Sequence, residues 1–189
     1  MKRLVTERFI RRVLVMMLAL VLGGCATLSY YGQSIGGQWE VWGKQRPIDE
    51  VLAAPDTSTT LRGKLRSVLA MRDFASRELA LPENDSYRSY ADLQRPHVVW
   101  NVFAAKPYEM KLKRWCFLFA GCVGYRGYFS QAEAQAFADK LASEGLETYV
   151  AGVDAYSTLG WFDDPLLNTV IHRSEALIAG LIFHELAHQ

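Results

Sequence analysis

The chain has 189 residues, 50% of them hydrophobic, and a formal net charge of +1. That length fits one folded domain, or most of one, behind a leader. The near-zero charge lacks the basic surplus that nucleic-acid binding draws on, so no nucleic acid is expected as a partner.

The leader comes first. Lys2, Arg3, Arg8, Arg11 and Arg12, with Glu7 the one acid among them, precede an apolar run from Val13 to Leu22. The run is far shorter than the roughly 20 residues a spanning helix needs, so it reads as a secretory signal. It ends in Leu22-Gly23-Gly24-Cys25, which resembles the lipobox of bacterial lipoproteins. That resemblance implies cleavage before Cys25, lipidation of Cys25 and, with Ala26 following, the outer membrane. An ordinary signal with an incidental cysteine is the alternative. Residues 26–38 are small and polar, a tether or a loose first helix, and Tyr30, Tyr31, Trp39 and Trp42 imply packing soon after.

Pro47 opens a short helix over 48–54. Leu61, Leu65, Val68, Leu69, Phe74 and Leu79 set a helical period over 61–81, with Arg62, Lys64, Arg66, Arg72 and Arg77 read as its solvated face and Pro82 as its end. Residues 85–90 read as a loop. Residues 98–105, rich in β-branched and aromatic side chains, read as a strand that 109–112 continues after a turn at Pro107. With Cys25 taken by lipid, Cys116 and Cys122 remain as an even pair. In an oxidising compartment they are expected to form a disulfide; two free buried thiols, or metal ligands, are the alternatives. Ser130 and Glu133 have capping-box spacing, Gly145 stops the helix they start, and 147–153 is the next strand. Tyr156, Ser157, Thr158 and Leu159 read as a strand ending at Gly160, either an ordinary sheet strand or an edge that pairs with substrate backbone. Asp163-Asp164 before Pro165 reads as a turn. Ser174 is the expected N-cap of a last helix.

That helix carries His184-Glu185-Leu186-Ala187-His188. Residues four apart share a helix face, so His184 and His188 can aim ring nitrogens at one ion, and two neutral imidazoles suit Zn²⁺. Glu185 beside the first histidine can take a proton from a zinc-activated water, whose pKa falls to about 7, and the water then attacks a carbonyl, usually that of a peptide bond. Leu181, Ile182, Phe183, Leu186, Ala187 and Gln189 around the ligands are uncharged, as a buried active-site helix requires. A catalytic zinc needs three protein ligands. The third is expected beyond Gln189, so the chain reads as the N-terminal part of a longer protein or a shortened reading of one. Alone it is expected to bind zinc poorly and to be inactive, with the His188 end free to fray. Glu175, upstream on the same helix, is a remote candidate for the missing ligand.

The lipobox, Trp115-Cys116 through Tyr128-Phe129, Tyr156 through Phe162, and His184 through Gln189 stand in this order. Together they resemble a family of zinc-dependent aminopeptidases found as lipoproteins in Gram-negative bacteria. The resemblance implies a gluzincin-type site with one zinc ion, His184 and His188 as ligands and Glu185 as base. The family's third ligand, a Glu in an Asn-Glu motif, is not reached. The expected fold is α+β, a zincin-like metallopeptidase domain truncated after the active-site helix, with a small mixed sheet packed on that helix. The expected organisation is 1–24 signal peptide, 25–45 lipidated N-terminus and tether, and 46–189 the first part of the peptidase domain. The expected partners are a peptide substrate and, through the lipid, the membrane, with the protein facing the periplasm. The competing reading is a non-catalytic envelope lipoprotein, a scaffold or interaction protein on a degenerate zincin fold.

Overall fold

Two helices packed on one apolar core, Thr59–Leu79 and Glu175–Leu186, position the motif. The computed structural model describes residues 28–117, 121–158 and 161–189; Cys25, Leu159 and Gly160 lie outside them. The chain divides into two units, Met1–Gln38 and Trp39–Gln189. In the first, the described residues 28–38 are helical, and the Ser34 hydroxyl donates to the Tyr30 carbonyl at 3.0 Å.

After helical residues 39–44 the elements are β1 (Gln45–Pro47), α1 (Ile48–Ala53), α2 (Thr59–Leu79), β2 (Ser89–Ala91), β3 (Val99–Ala105), β4 (Trp115–Phe117), β5 (Gly121–Val123), β6 (Arg126–Tyr128), α3 (Gln131–Ser143), β7 (Glu147–Val153), β8 (Leu166–Leu167), α4 (Asn168–Ile171) and α5 (Glu175–Leu186). The fold is mixed α+β. Among the described residues no helix is long and apolar enough to cross a membrane.

One sheet has the order β6-β3-β7, with both neighbours antiparallel to β3. The period-2 pattern of β3 buries Trp100, Val102 and Ala104. Helix α3 packs on this sheet with Ala134, Ala138 and Leu141 buried. Ser130 caps it by accepting the Glu133 N–H at 3.4 Å, and Gly145 follows at φ +85°, a conformation that costs a side-chain-bearing residue more. The sequence-level strand–helix–strand is thus the β6-α3-β7 crossover over β3.

The second sheet, β1-β2-β8, pairs β1 antiparallel and β8 parallel to β2. Its Tyr90 and Leu166 join a core with Leu65, Val68 and Ala75 of α2 and Ile178, Ile182 and Leu186 of α5. The α5 residues recur every fourth position and so form one face. Each of these α5 side chains, fully buried, contributes on the order of 1.5–3 kcal/mol.

Four expectations change. Residues 109–112 do not extend the sheet: Tyr108 takes φ +62°, Glu109 N–H closes a turn on Lys106, and only the bridge Ala105–Leu112 remains. The loop expected over 85–90 ends in β2, which is buried throughout. Residues 156–158 form no strand. The Thr158 N–H goes to the Asp164 carboxylate at 2.9 Å, and its carbonyl accepts from Trp161 at 3.1 Å, so the groups a ladder would use close a turn instead. Arg72, expected on the solvated face of α2, is fully buried.

Cys116 and Cys122 stand opposite each other in the β4–β5 pair, and a disulfide joins them.

Candidate metal centre

Helix α5 starts after Ser174, which is extended at the N-cap but makes no side-chain cap bond. Glu175 in the first turn accepts the Ser67 hydroxyl of α2 at 2.8 Å. It stands nine positions before His184, about 13 Å along the axis at 1.5 Å per residue, too far to share an ion with it.

At the other end the burial pattern sorts the motif. Ile182 and Leu186 face the core, while His184 and His188 are exposed. The α-helix ends at Leu186, so His188 lies in the turn beyond it rather than on the helix. There its N–H bonds the Glu185 carbonyl and the Gln189 N–H bonds the Leu186 carbonyl, each at 3.2 Å, the tightened i→i+3 closure common at helix ends. The result brings the His184 and His188 Nε2 atoms to 3.2 Å of each other, with the rings at 84°. Two nitrogens bound tetrahedrally at 2.0–2.1 Å from one zinc lie about 3.3–3.4 Å apart, so the pair fits two positions of such a set. Among the described residues no group of three or more His, Cys, Asp or Glu side chains converges to hold a metal ion.

The residue after His188 has partners. Asn84 Nδ2 donates to Gln189 Oε1 at 2.5 Å, and Gln189 Nε2 donates to Ser86 Oγ at 3.4 Å. The loop that supplies these partners is held by Arg72. Its Nε donates to the Ser86 carbonyl at 3.0 Å and its Nη2 to the Pro82 and Asn84 carbonyls at 2.7 and 2.9 Å. Its Nη1 donates to Ser76 Oγ at 2.6 Å. A guanidinium presents its donors in a fixed planar fork, which is why one side chain can hold a whole loop. Burial pushes its pKa down from the ordinary value, with the Arg88 charge adding to that. A signal for it lay in the sequence: Leu65, Val68, Arg72 and Ala75 follow the helical period of the buried face.

Glu185 is half-buried beside Tyr87 and Asp164. Tyr87 is buried with φ +63°, and its N–H bonds the Asp164 carbonyl at 2.7 Å. Burial raises the Tyr87 pKa, and the charges of Asp164 and Glu185 raise it further. The buried Asp164 carboxyl is also raised, chiefly by burial against the hydrogen bonds from Thr158 and Ser157, with the Glu185 charge adding to the rise. Tyr156, Ser157 and Thr158 therefore reach the neighbourhood of Glu185 through Asp164, not as a strand. Asp164, expected as a turn former with metal binding the lesser alternative, was missed as a neighbour of Glu185.

On the other side of His184 lies a cleft of about 470 Å³ between α5 and residues 154–155, 170 and 173. Its far end is an ion cluster. Asp154 Oδ1 meets His97 Nδ1 at 2.6 Å, and Arg173 Nη2 donates to Asp154 Oδ2. The His97 ring lies flat on β7 where Gly152 leaves room; a Cβ there would stand 2.2 Å from His97 Cδ2.

Neither a curated protein nor a solved structure matches the chain. A family model described as "putative aminopeptidase" matches residues 29–189. That span takes in α2 and α5, all three sheets and the histidine pair, and the chain belongs to this aminopeptidase family.

Proposed function

We propose that the protein is a zinc-dependent peptidase of the aminopeptidase type. The observation that carries this is the 3.2 Å approach of the Nε2 atoms of His184 and His188, both exposed residues, with His184 lining a cleft. Family membership supports the peptidase part. His184 and His188 would hold the ion. Zinc, when bound, supplies Lewis-acid polarisation of the carbonyl and acidifies the attacking water. Glu185 takes the proton of that water on its carboxylate and returns it to the leaving amine. The 84–86 loop, through Gln189, holds the turn that aims His188, and such outer-shell support typically sets metal affinity within about 10–100-fold.

The test uses the full protein loaded with zinc and a peptide with a free amino terminus. Wild type binds one zinc and cleaves, and chelation stops cleavage. Glu185→Gln keeps the zinc and loses at least about 100-fold in kcat. An undiminished rate in Glu185→Gln removes Glu185 from the mechanism. The alternative is a non-catalytic envelope scaffold. Absence of stoichiometric zinc would decide for it.

We place the protein in the cell envelope on the lipobox-like Leu22-Gly23-Gly24-Cys25, lipid-anchored at the outer membrane and facing the periplasm. Palmitate labelling reads this directly, and Cys25→Ser is expected to abolish the label.

A further inference from the structure

We propose that the cleft beside His184 is the pocket for an uncharged, apolar side chain of the substrate residue next to the scissile bond, and that Gly180 sets its size. The inference rests on the peptidase reading and goes further by naming the substrate class.

The cleft is open on one side and within the volume range of small-molecule sites. Its walls are Ala155, Val170, Leu177 and Leu181, and His184 stands at one end. Leu177 keeps 57% of its surface exposed, although a core of aliphatic side chains lies one helix face away. At the far end Asp154 is already engaged by Arg173 and His97. Both Asp154 oxygens are thus already paired, so the carboxylate there is matched before a substrate ammonium arrives. Recognition is left to the apolar walls.

Gly180 lines the cleft from the exposed side of α5. It stands four residues before His184, hence on the same face and about 6 Å below it along the axis. Glycine is a poor helix former, and this one is in the interior of α5. No turn or close packing requires it: a Cβ at 180 would meet nothing within 4 Å. The space that its missing side chain leaves opens into the cleft. A larger residue would fill the cleft without disturbing the core face that Ile178, Ile182 and Leu186 present.

The experiment compares wild type, Gly180→Ala and Gly180→Leu, all as full zinc-loaded protein. The substrates are tripeptides carrying Ala, Leu, Phe, Glu or Lys on either side of the cleaved bond. Wild type is expected to favour Leu and Phe over Ala by about 10–200-fold in kcat/KM at one of the two positions, and to cleave Glu and Lys peptides poorly there. Gly180→Leu is expected to reduce the Leu-to-Ala ratio to within about threefold with zinc stoichiometry unchanged, and Gly180→Ala to move it the same way by a smaller step. An unchanged ratio in both variants overturns the inference while leaving the peptidase reading intact. If wild type cleaves nothing, the peptidase reading fails instead, and the cleft is judged by saturation-transfer NMR on the same tripeptides. Binding of the Leu tripeptide that Gly180→Leu abolishes supports the pocket; no binding, or binding that the substitution leaves alone, overturns it. If Gly180→Leu does not fold, Gly180→Ala decides alone, since the open space accommodates its methyl group.

Discussion

Arg72 shows how one side chain can reach a site it never touches. It sits in the buried stripe of α2 and gives its hydrogen bonds to three backbone carbonyls and to Ser76. Those carbonyls belong to the loop whose Asn84 and Ser86 hold Gln189. Replacing Arg72 by Met keeps the apolar stem but strands the buried Ser86 carbonyl, while the part-buried Pro82 and Asn84 carbonyls can turn to water. A buried unsatisfied group costs about 1–3 kcal/mol, so a loss of about that size is expected in urea unfolding. Arg72→Lys is expected to recover only part of it, because an ammonium cannot reproduce the planar fork. A loss below about 1 kcal/mol in Arg72→Met would show that water replaces the guanidinium.

At the scale of elements, Asp154 ties three pieces together: the end of β7, His97 ahead of β3, and Arg173 ahead of α5. Its backbone carbonyl also accepts the Thr169 hydroxyl at 2.5 Å. Burial opposes ionisation of Asp154, but the hydrogen bonds from Arg173 and His97 outweigh it and hold the carboxyl below its ordinary 3.8. A carboxyl with a depressed folded-state pKa binds protons less tightly than in the unfolded chain. Its stabilisation is therefore complete above the unfolded value and is lost as pH falls through the folded one. Arg173 is about half exposed (48%), so solvent screening limits the effect to about 1 kcal/mol. Asp154→Asn is expected to lower neutral-pH stability by about that amount and to flatten the acid limb of the stability–pH curve. Urea titrations at pH 7 and near pH 3 give both quantities, and parallel curves for the two proteins would exclude the assignment.

For the chain as a whole, local pattern and long-range contact decided different things. The α3 cap at Ser130, the stop at Gly145, the alternation of β3 and the four-residue spacing of His184 and His188 all come from short-range geometry: a helix period, a strand period, a positive φ. These were legible without the fold. So was the pairing of His184 with His188, because a spacing of four brings two side chains to one side of a helical turn. What the fold alone decided depends on partners far apart in sequence. Whether Arg72 faced water or the core depended on the 82–86 loop folding back over α2. Whether 156–158 became a strand depended on Asp164 capturing the Thr158 N–H. That Gly180 opens a cleft depended on residues 154–155 arriving beside α5. Sequence period states which residues share a face; only tertiary structure states what that face meets, because hydrogen bonds and burial are settled by whichever group is nearest in space, not in the chain.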